Sequence, residues 1–203
     1  MTLEPTVFIV DDDAAVREGL KWLVESVDLK AATFVSAQEF LEIYKPKQPG
    51  CLLLDIRMPG MSGLALQQVL KSRSFDLPII ILTGHGTVQM AVEAMKAGAF
   101  DFIEKPFQNQ RLLDRIHDAI DMSISNSIEG DKKTEVMQLL ELLTPREHQV
   151  LNMVVAGETN KAIAYRLDIS EKTVEVHRAK VMEKLSAVSL ADLILKTRLV
   201  VNR

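Results

Sequence analysis

Residues 51–55 read Cys-Leu-Leu-Leu-Asp, four apolar residues followed directly by a carboxylate. A short continuous apolar run of this kind is typical of a β-strand that is buried on both faces. Helix-like segments lie on either side of it, at residues 36–45 and 63–72. Four similar apolar runs occur in the first 125 residues: Val7–Val10, Ala31–Val35, Pro78–Leu82 and Ala99–Ile103.

An amphipathic stretch follows each apolar run. In the fourth stretch, Val88, Ala91, Val92 and Met95 repeat at helical spacing, which predicts a helix with one apolar face. Ser36 is placed to cap the second helix. Five strands that alternate with five helices predict an α/β domain with a doubly wound (βα)5 parallel sheet. Right-handed crossovers bring the loops after the strands to one edge, where such sheets bind ligands. The other helix-like segments are 14–27, 87–97 and 108–124.

The composition indicates a water-soluble chain. Its 203 residues, 47% of them hydrophobic, allow one large or two modest domains. A single cysteine, Cys51, excludes an intramolecular disulfide and a cysteine-based metal cage, which fits the reducing cytoplasm. No secretory leader precedes Asp13, and no apolar run approaches the roughly 20 residues that span a bilayer. We therefore expect a cytoplasmic protein without a membrane partner, with Cys51 and Trp22 packed in the core.

The second half of the chain differs in composition and pattern. Residues 1–125 hold 12 basic and 17 acidic side chains, a net charge of −5, whereas residues 126–203 hold 12 and 11, a net charge of +1. Small and polar residues between Ser123 and Thr134 predict a linker. The domain boundaries that follow are 1–124 for the first domain, 125–138 for the linker and 139–203 for an all-α second domain. Its helices are expected at about 136–143, 146–156, 160–167, 171–185 and 189–200.

Local signals support these helix boundaries. Thr144, Pro145 and Glu147 form a capping-box pattern, with proline at the first helical position. Ser170 is placed to begin the fourth of these helices, and Gly157 to end the second.

Carboxylates end two strands of the predicted sheet. Asp11 and Asp12 close the first strand, and Asp55 closes the third. Gathered at one edge they would repel one another, and a hard cation such as Mg²⁺ relieves that repulsion. Lys105 and Thr83 end two further strands, so an ammonium and a hydroxyl reach the same edge. This set suits phosphoryl transfer onto Asp55; the structural alternative is that each aspartate is an ordinary turn residue.

The first domain resembles the receiver domains of two-component response regulators, which have a flavodoxin-like fold. The resemblance covers residues 5–124. It rests on Val10-Asp11-Asp12-Asp13, on the run from Leu54 to Gly63, on Leu82-Thr83-Gly84-His85-Gly86 and on the run from Lys96 to Phe107.

The resemblance implies a role for each matching residue. Asp55 would be the phosphoacceptor, and Mg²⁺ or Mn²⁺ would be held by Asp11, Asp12, Asp55 and the backbone carbonyl of Arg57. Lys105 would pair with the phosphoryl group, after a cis Lys105-Pro106 bond. Thr83 would hydrogen-bond the phosphoryl group, and Phe102 would move inward with it. Gly84 would leave the site open to a phosphodonor, and Arg57 and His85 would flank it.

The C-terminal helices 160–167 and 171–185 predict a helix-turn-helix unit, whose second helix enters the DNA major groove. Periodicity alone favours the alternative, a helical bundle with polar outer residues. The candidate DNA-binding residues on the second helix are Lys172, Thr173, Glu175, Val176, Arg178 and Lys180.

Residues 143–199 resemble the four-helix LuxR/NarL-type output domain, and Glu175-Val176-His177-Arg178-Ala179 is similar to the FixJ-type subgroup. Other members carry Lys at the positions of Glu175 and Ala179, so their base contacts are not transferred to this chain. Glu175 is instead expected to accept from a cytosine amine, and Arg178 or Lys172 to meet phosphate or guanine. Two dimer surfaces are candidates. One is the receiver surface at 87–107, and the other is the stripe Leu190, Leu193 and Ile194.

Together these features predict a transcriptional switch and not an enzyme, apart from self-phosphorylation and slow phosphoaspartate hydrolysis. A sensor histidine kinase would phosphorylate Asp55, a homodimer would form and bind promoter DNA, and transcription would be activated, with RNA polymerase as a further partner. Three alternatives stay open. They are a Mg²⁺-dependent phosphatase, disfavoured because Arg57 stands where Asp-x-Asp enzymes carry an acid; a DNA-binding protein that ignores phosphorylation; and a protein-binding adaptor.

Overall fold

The computed structural model describes residues 4–45, 48–84 and 86–201, with residue 201 described by its backbone alone. The chain forms two compact units, residues 1–127 and 128–203. The strands are β1 (Thr6–Val10), β2 (Lys30–Phe34), β3 (Gly50–Asp55), β4 (Ile79–Thr83) and β5 (Asp101–Glu104). The helices are α1 (Ala14–Glu25), α2 (Ala37–Ile43), α3 (Gly63–Ser72), α4 (Val88–Lys96), α5 (Asn109–Glu141), α6 (Pro145–Val155), α7 (Asn160–Leu167), α8 (Glu171–Lys184) and α9 (Leu190–Val201).

The first unit is built on a five-stranded sheet in the order β2-β1-β3-β4-β5, and every neighbouring pair is parallel. Helices alternate with the strands along the chain, which confirms the predicted doubly wound α/β fold. The three central strands β1, β3 and β4 are buried along their whole length. Their continuous apolar sequences are explained by this burial on both faces.

Alternate residues of the strands fill two separate cores, one on each face of the sheet. Val10, Leu52 and Leu54 belong to one core, whereas Cys51 and Leu53 belong to the other. This division follows from the two-residue period of a strand. Cys51 is a fully buried free cysteine, so the prediction that it packs in the core is confirmed.

The predicted helix caps are present. The hydroxyl of Ser36 accepts from the backbone N–H of Glu39, at 3.2 Å, and begins α2. Thr144 and Glu147 form a complete capping box at the start of α6. Gly157 follows the end of α6 with a φ of 84°, in the left-handed region that favours glycine.

The polar segment between Ser123 and Thr134 is helical, which differs from the irregular linker expected from its composition. It lies within the 33 residues of α5. No proline interrupts residues 107–144, and the hydroxyls of Ser125 and Thr134 each donate to the carbonyl four residues earlier. Because extending an existing helix adds one hydrogen bond per residue, a polar sequence without a breaker continues the helix.

The prediction that Trp22 packs in the core is wrong, since this side chain on α1 is 82% exposed. On α4 the side chains of Val88, Val92 and Met95 are exposed while Ala94 is buried. The apolar repeat of α4 therefore marks an outer surface. Ala94 is the residue of α4 that packs inward, and its small side chain allows the helix to approach the sheet closely.

Helices α6 to α9 of the second unit pack around a third core. It includes Val150, Ile163, Val174, Val181 and Leu193, each 2% exposed or less. The predicted stripe on α9 is divided by this packing, since Leu193 is buried whereas Leu190 is 44% exposed. Among the helices of the described residues, none combines the length and the apolar character needed to cross a membrane.

Candidate functional site

The edge of the sheet beyond β1 and β3 gathers two buried carboxylates. These strands are neighbours with Val10 beside Leu54, so Asp11 and Asp55 follow at the same level. Asp11 is 3% exposed and Asp55 is 8% exposed. Buried carboxylates need a partner, because removing a charge from water is costly.

Lys105 supplies that partner. Its Nζ lies 2.7 Å from Asp11 Oδ2 and 3.0 Å from Asp55 Oδ1. Lys105 directly follows β5, and the Lys105-Pro106 peptide bond is cis, as predicted. The structure thus brings together three of the residues that the sequence assigned to one site.

Burial and hydrogen bonding act in opposite directions on the two charged groups of this pair. Burial raises the pKa of Asp55, because a carboxylate loses solvation, and the hydrogen bond from Lys105 only partly opposes this. Burial also acts to lower the pKa of Lys105, but hydrogen bonds to Asp11 and Asp55 outweigh it and the pKa is raised. The ammonium form of Lys105 is therefore favoured beside its two carboxylates.

Backbone groups fix the carboxylates in place. The N–H of Arg57 donates to Asp55 Oδ2 at 2.6 Å, and the N–H of Asp13 donates to Asp11 Oδ1 at 2.9 Å. The loop after β3 is closed by Gly63, whose N–H donates to the carbonyl of Ile56 at 3.0 Å.

Gly63 has a role that sequence reasoning missed. A Cβ at this position would lie 2.1 Å from the backbone oxygen of Asp55, closer than real Cβ atoms approach. Only glycine allows α3 to begin directly against the residue that carries the central carboxylate. The available signal was its place in the Met-Pro-Gly-Met-Ser-Gly run that follows Asp55 by three residues.

The predicted metal ligands are partly assembled. Asp11 and Asp55 share Lys105, whereas Asp12 is exposed. In the described part of the chain, no group of three or more His, Cys, Asp and Glu side chains is arranged to hold a metal ion. The donors are nonetheless the oxygen ligands that Mg²⁺ prefers, so the donor chemistry fits. The metal set of Asp11, Asp12, Asp55 and the Arg57 carbonyl stays a prediction.

Thr83 and Phe102 lie close together at the loop that follows β4. Both flank Gly86, where a Cβ would lie 3.0 Å from Phe102 Cε1 and 3.3 Å from Thr83 Cγ2. Thr83 is buried at the end of β4, and Phe102 is half-buried on β5. At Gly84 a Cβ would meet no atom within 4 Å, which fits the predicted open access. The predicted role of His85 falls outside the described residues.

A second candidate site lies on α8 of the second unit. Val174 and Val181 face the core and fix the rotation of this helix. Five of the six predicted DNA-binding side chains are exposed: Lys172, Thr173, Glu175, Val176 and Lys180. The hydroxyl of Thr173 lies 2.8 Å from that of Ser170, the N-cap of α8. The helix-turn-helix arrangement of α7 and α8 is as predicted, with Asp168 in the left-handed conformation at the turn.

Arg178 is the sixth predicted DNA-binding residue, and it has an internal partner. Its Nη1 donates to Asn160 Oδ1 at 2.6 Å, and the side chain is part-buried. Asn160 is the first residue of α7, so this bond joins the two helices of the helix-turn-helix.

An ion pair between a buried carboxylate and a part-exposed lysine, which sequence reasoning missed, joins α6 to α8. Glu147 is 3% exposed and accepts from Lys184 at 2.7 Å and from the backbone N–H of Thr144 at 2.8 Å. The hydrogen bond from Lys184 is the largest of the effects that lower the pKa of Glu147 to about 2. The capping-box pattern predicted the role of Glu147 at the start of α6. No sequence pattern predicted its pairing with Lys184, a residue 37 positions later.

We expect this pair to make the second unit sensitive to acid. Because the pKa of Glu147 is about 2 in the folded state and about 4.3 when unfolded, its contribution to stability is complete above the unfolded pKa and is lost as the pH falls towards 2. The urea midpoint of the second unit, followed by the amide NMR signals of α6, should decrease as the pH is lowered from 5 to 2. Glu147→Gln should flatten this dependence and Glu141→Gln, at an exposed site, should not; equal pH profiles for both would contradict the assignment.

Two family models match the chain. The response regulator receiver domain matches residues 7–117, and the luxR family of bacterial regulatory proteins matches residues 141–197.

Curated relatives match nearly the whole chain. The transcriptional regulatory protein TdiR of Thauera aromatica is 46% identical over 188 residues, which cover 93% of this chain and 83% of that protein. The transcriptional regulatory protein FixJ of Azorhizobium caulinodans is 45% identical, with 93% and 89% covered. The response regulator protein TodT of Pseudomonas putida is 44% identical, with 93% and 83% covered.

Solved structures agree with these matches. The response regulator StyR has 46% sequence identity and a TM-score of 0.85, with 96% of this chain and 98% of that chain covered. Full-length FixJ from B. japonicum has 39% identity and a TM-score of 0.58, with 98% of both chains covered.

Proposed function

The chain belongs to the response regulators that carry a LuxR-type DNA-binding output domain, and from this we propose that phosphorylation of Asp55 by a sensor histidine kinase controls its DNA binding. Membership in the family makes it a two-component transcription regulator, with a kinase partner for the receiver and DNA for the output domain. We further propose that it acts in the bacterial cytoplasm as a homodimer, activates transcription with RNA polymerase as a further partner, and has no enzymatic role beyond its own phosphorylation and slow dephosphorylation.

The observation that carries the proposal is the pairing of Asp55 and Asp11 with one ammonium at an otherwise buried edge. A phosphoryl group would pass from a histidine nitrogen of the kinase to a carboxylate oxygen of Asp55, so that a P–N bond breaks and a P–O bond forms. Lys105 already touches Asp55 and would donate to a phosphoryl oxygen. Asp11, Asp12, Asp55 and the Arg57 carbonyl would hold Mg²⁺ or Mn²⁺, which neutralises charge on the phosphoryl oxygens.

The phosphoryl signal would pass through Thr83 and Phe102 to the surface of α4. Thr83 would hydrogen-bond the phosphoryl group, and Phe102, which shares the space around Gly86 with it, would follow. Phe102 also lines a groove of about 570 Å³ together with Val88 and Ala91 of α4. A movement of the ring would therefore reshape this surface and shift the population of receivers that can pair.

Exposed apolar side chains support dimerisation through α4. Val88 is 83% exposed, and Val92 and Met95 are 45% and 47% exposed on the same helix. Apolar groups clustered on an outer face are typical of a protein–protein contact. Val188, just before α9, is 90% exposed, and Leu195, on α9, is 64% exposed. These two side chains would supply a second contact between output domains.

Phosphorylation-dependent association tests the proposal. The full chain, with and without Mg²⁺ and acetyl phosphate, is analysed by light scattering and incubated with a pool of random duplex DNA. We expect a monomer that becomes a dimer and retains more DNA after phosphorylation. If DNA retention is the same in both states, the output domain acts independently of Asp55 and the proposed control is wrong.

The salt dependence of DNA binding should show whether Lys172 contacts a phosphate. This residue is exposed in the first turn of α8, where it can neutralise a phosphate. We expect Lys172→Gln to lower affinity for all duplexes alike and to reduce the slope of log K against log salt by about 1, since one fewer counterion is released. Lys71→Gln on α3 is the matched control and should leave the slope unchanged; a shared change would place Lys172 away from the DNA.

A further inference from the structure

The exposed face of α8 has an unusual charge distribution for a surface that meets DNA. Since Val174 and Val181 face the core, helical geometry turns Val176 and Ala179 to the opposite side. Lys172 and Lys180 lie towards the two ends of this face, and Glu175 lies between them. Val176 is 50% exposed.

Arg178 is the only Lys or Arg between Lys172 and Lys180, and its Nη1 donates to Asn160 at 2.6 Å. It stands one turn after the buried Val174 and is part-buried, so it lies towards the inner side of α8. Within the described residues, no hydrogen bond or ion pair engages the carboxylate of Glu175. An exposed carboxylate without a partner thus lies between the two lysines along the surface that would face a polyanion.

A carboxylate in this place weakens binding to the DNA backbone, because it meets phosphates of the same sign. The bases present a different chemistry in the major groove. Guanine shows two acceptors, thymine shows one, and adenine shows an acceptor beside its donor, whereas cytosine itself offers an amino donor and no acceptor. A carboxylate is thus attracted by cytosine and opposed by the acceptors of the other bases.

We propose that Glu175 is a specificity-determining residue that reads a cytosine in each half-site, by accepting a hydrogen bond from its amino group. This inference rests on the proposed entry of α8 into the major groove. Arg178 acts here as a positioning residue that joins α8 to α7 through Asn160. Lys172 and Lys180 supply the phosphate contacts that hold Glu175 over the base edges.

Selection from random duplexes tests this assignment. The full chain, treated with Mg²⁺ and acetyl phosphate, is used to enrich binding sequences as wild type, as Glu175→Gln and as Glu183→Gln. Glu183 is also an exposed acid of α8 and loses the same charge, so it controls for electrostatics. Circular dichroism verifies that all three proteins are folded.

We expect wild type and Glu183→Gln to select the same half-site with one invariant cytosine. Glu175→Gln should lose that cytosine, accept adenine there, and bind non-selected DNA more tightly. In wild type, replacing the C·G pair by T·A should weaken binding about tenfold or more, and in Glu175→Gln by much less. An unchanged cytosine in the Glu175→Gln motif overturns the inference while leaving DNA binding intact. If no sequence is enriched by folded wild type, the proposed function itself fails and the inference with it.

Discussion

Asp55→Ala is expected to gain no phosphoryl group when the full chain is incubated with Mg²⁺ and acetyl phosphate. Asp55 is the carboxylate held by both Lys105 and the backbone N–H of Arg57, so its oxygens are fixed before a phosphodonor arrives. Asp11 accepts from Lys105 and from the N–H of Asp13, but it lies at the end of β1, one strand away. Intact-mass spectrometry should show one phosphoryl increment on wild type and none on the variant.

Asp76→Ala provides the matched control. Asp76 is an exposed carboxylate in the loop before β4, so this variant should accept one phosphoryl group as wild type does. Asp55→Ala should also remain folded, because Lys105 keeps its bond to Asp11. An increment on folded Asp55→Ala would assign the phosphoacceptor to another residue, and the absence of an increment on wild type would remove the basis of the switch.

Gly63→Ala is expected to lower the stability of the receiver more than the other substitutions considered and to slow its phosphorylation. Its new methyl group would lie 2.1 Å from the carbonyl oxygen of Asp55 and 3.1 Å from the Cα of Ile56, both backbone atoms. The loop beneath Asp55 must therefore shift. Overpacking of this kind costs about 1–3 kcal/mol, or more where backbone has to move. We expect a lower urea midpoint for the receiver and a lower rate of phosphoryl incorporation.

Gly19→Ala on α1 separates this effect from the general effect of replacing glycine. A Cβ at Gly19 would meet no atom within 4 Å, and alanine favours an exposed helix by about 1 kcal/mol. Gly19→Ala should therefore raise the urea midpoint and leave the phosphorylation rate unchanged. If Gly63→Ala is as stable as wild type and is phosphorylated at the same rate, the contact between α3 and Asp55 does not constrain the site.

Several structural features were predictable from short segments. The caps at Ser36, Thr144 and Ser170 depend on a side chain bonding the backbone three residues later. The continuous apolar run of β3 predicted a strand that is buried on both faces. The family motifs predicted that Lys105 and Asp55 lie at one site, with Lys105 pairing with the phosphoryl group, and the structure adds that Lys105 bonds both Asp55 and Asp11.

Other features depended on contacts that the sequence pattern does not report. The apolar repeat on α4 predicted a helix with one apolar face but not what covers that face, and in the structure Ala94 packs inward whereas Val88 faces solvent. Trp22 was expected to pack and is exposed. The hydrophobicity of a side chain reflects the free energy that its burial would release. It does not indicate whether another helix or strand is present to cover that side chain.

The sequence by itself determined the order of strands and helices, the helix caps, and the carboxylates at the edge of the sheet, because these follow from local spacing and from the direction of parallel strands. Only the tertiary structure decided that one ammonium serves two carboxylates, that Asn160 holds Arg178, that Lys184 pairs with Glu147, and that Gly63 makes room for Asp55. The physical reason is that hydrogen bonds and ion pairs act over about 3 Å, a separation that depends on how the elements pack and not on the number of residues between the partners.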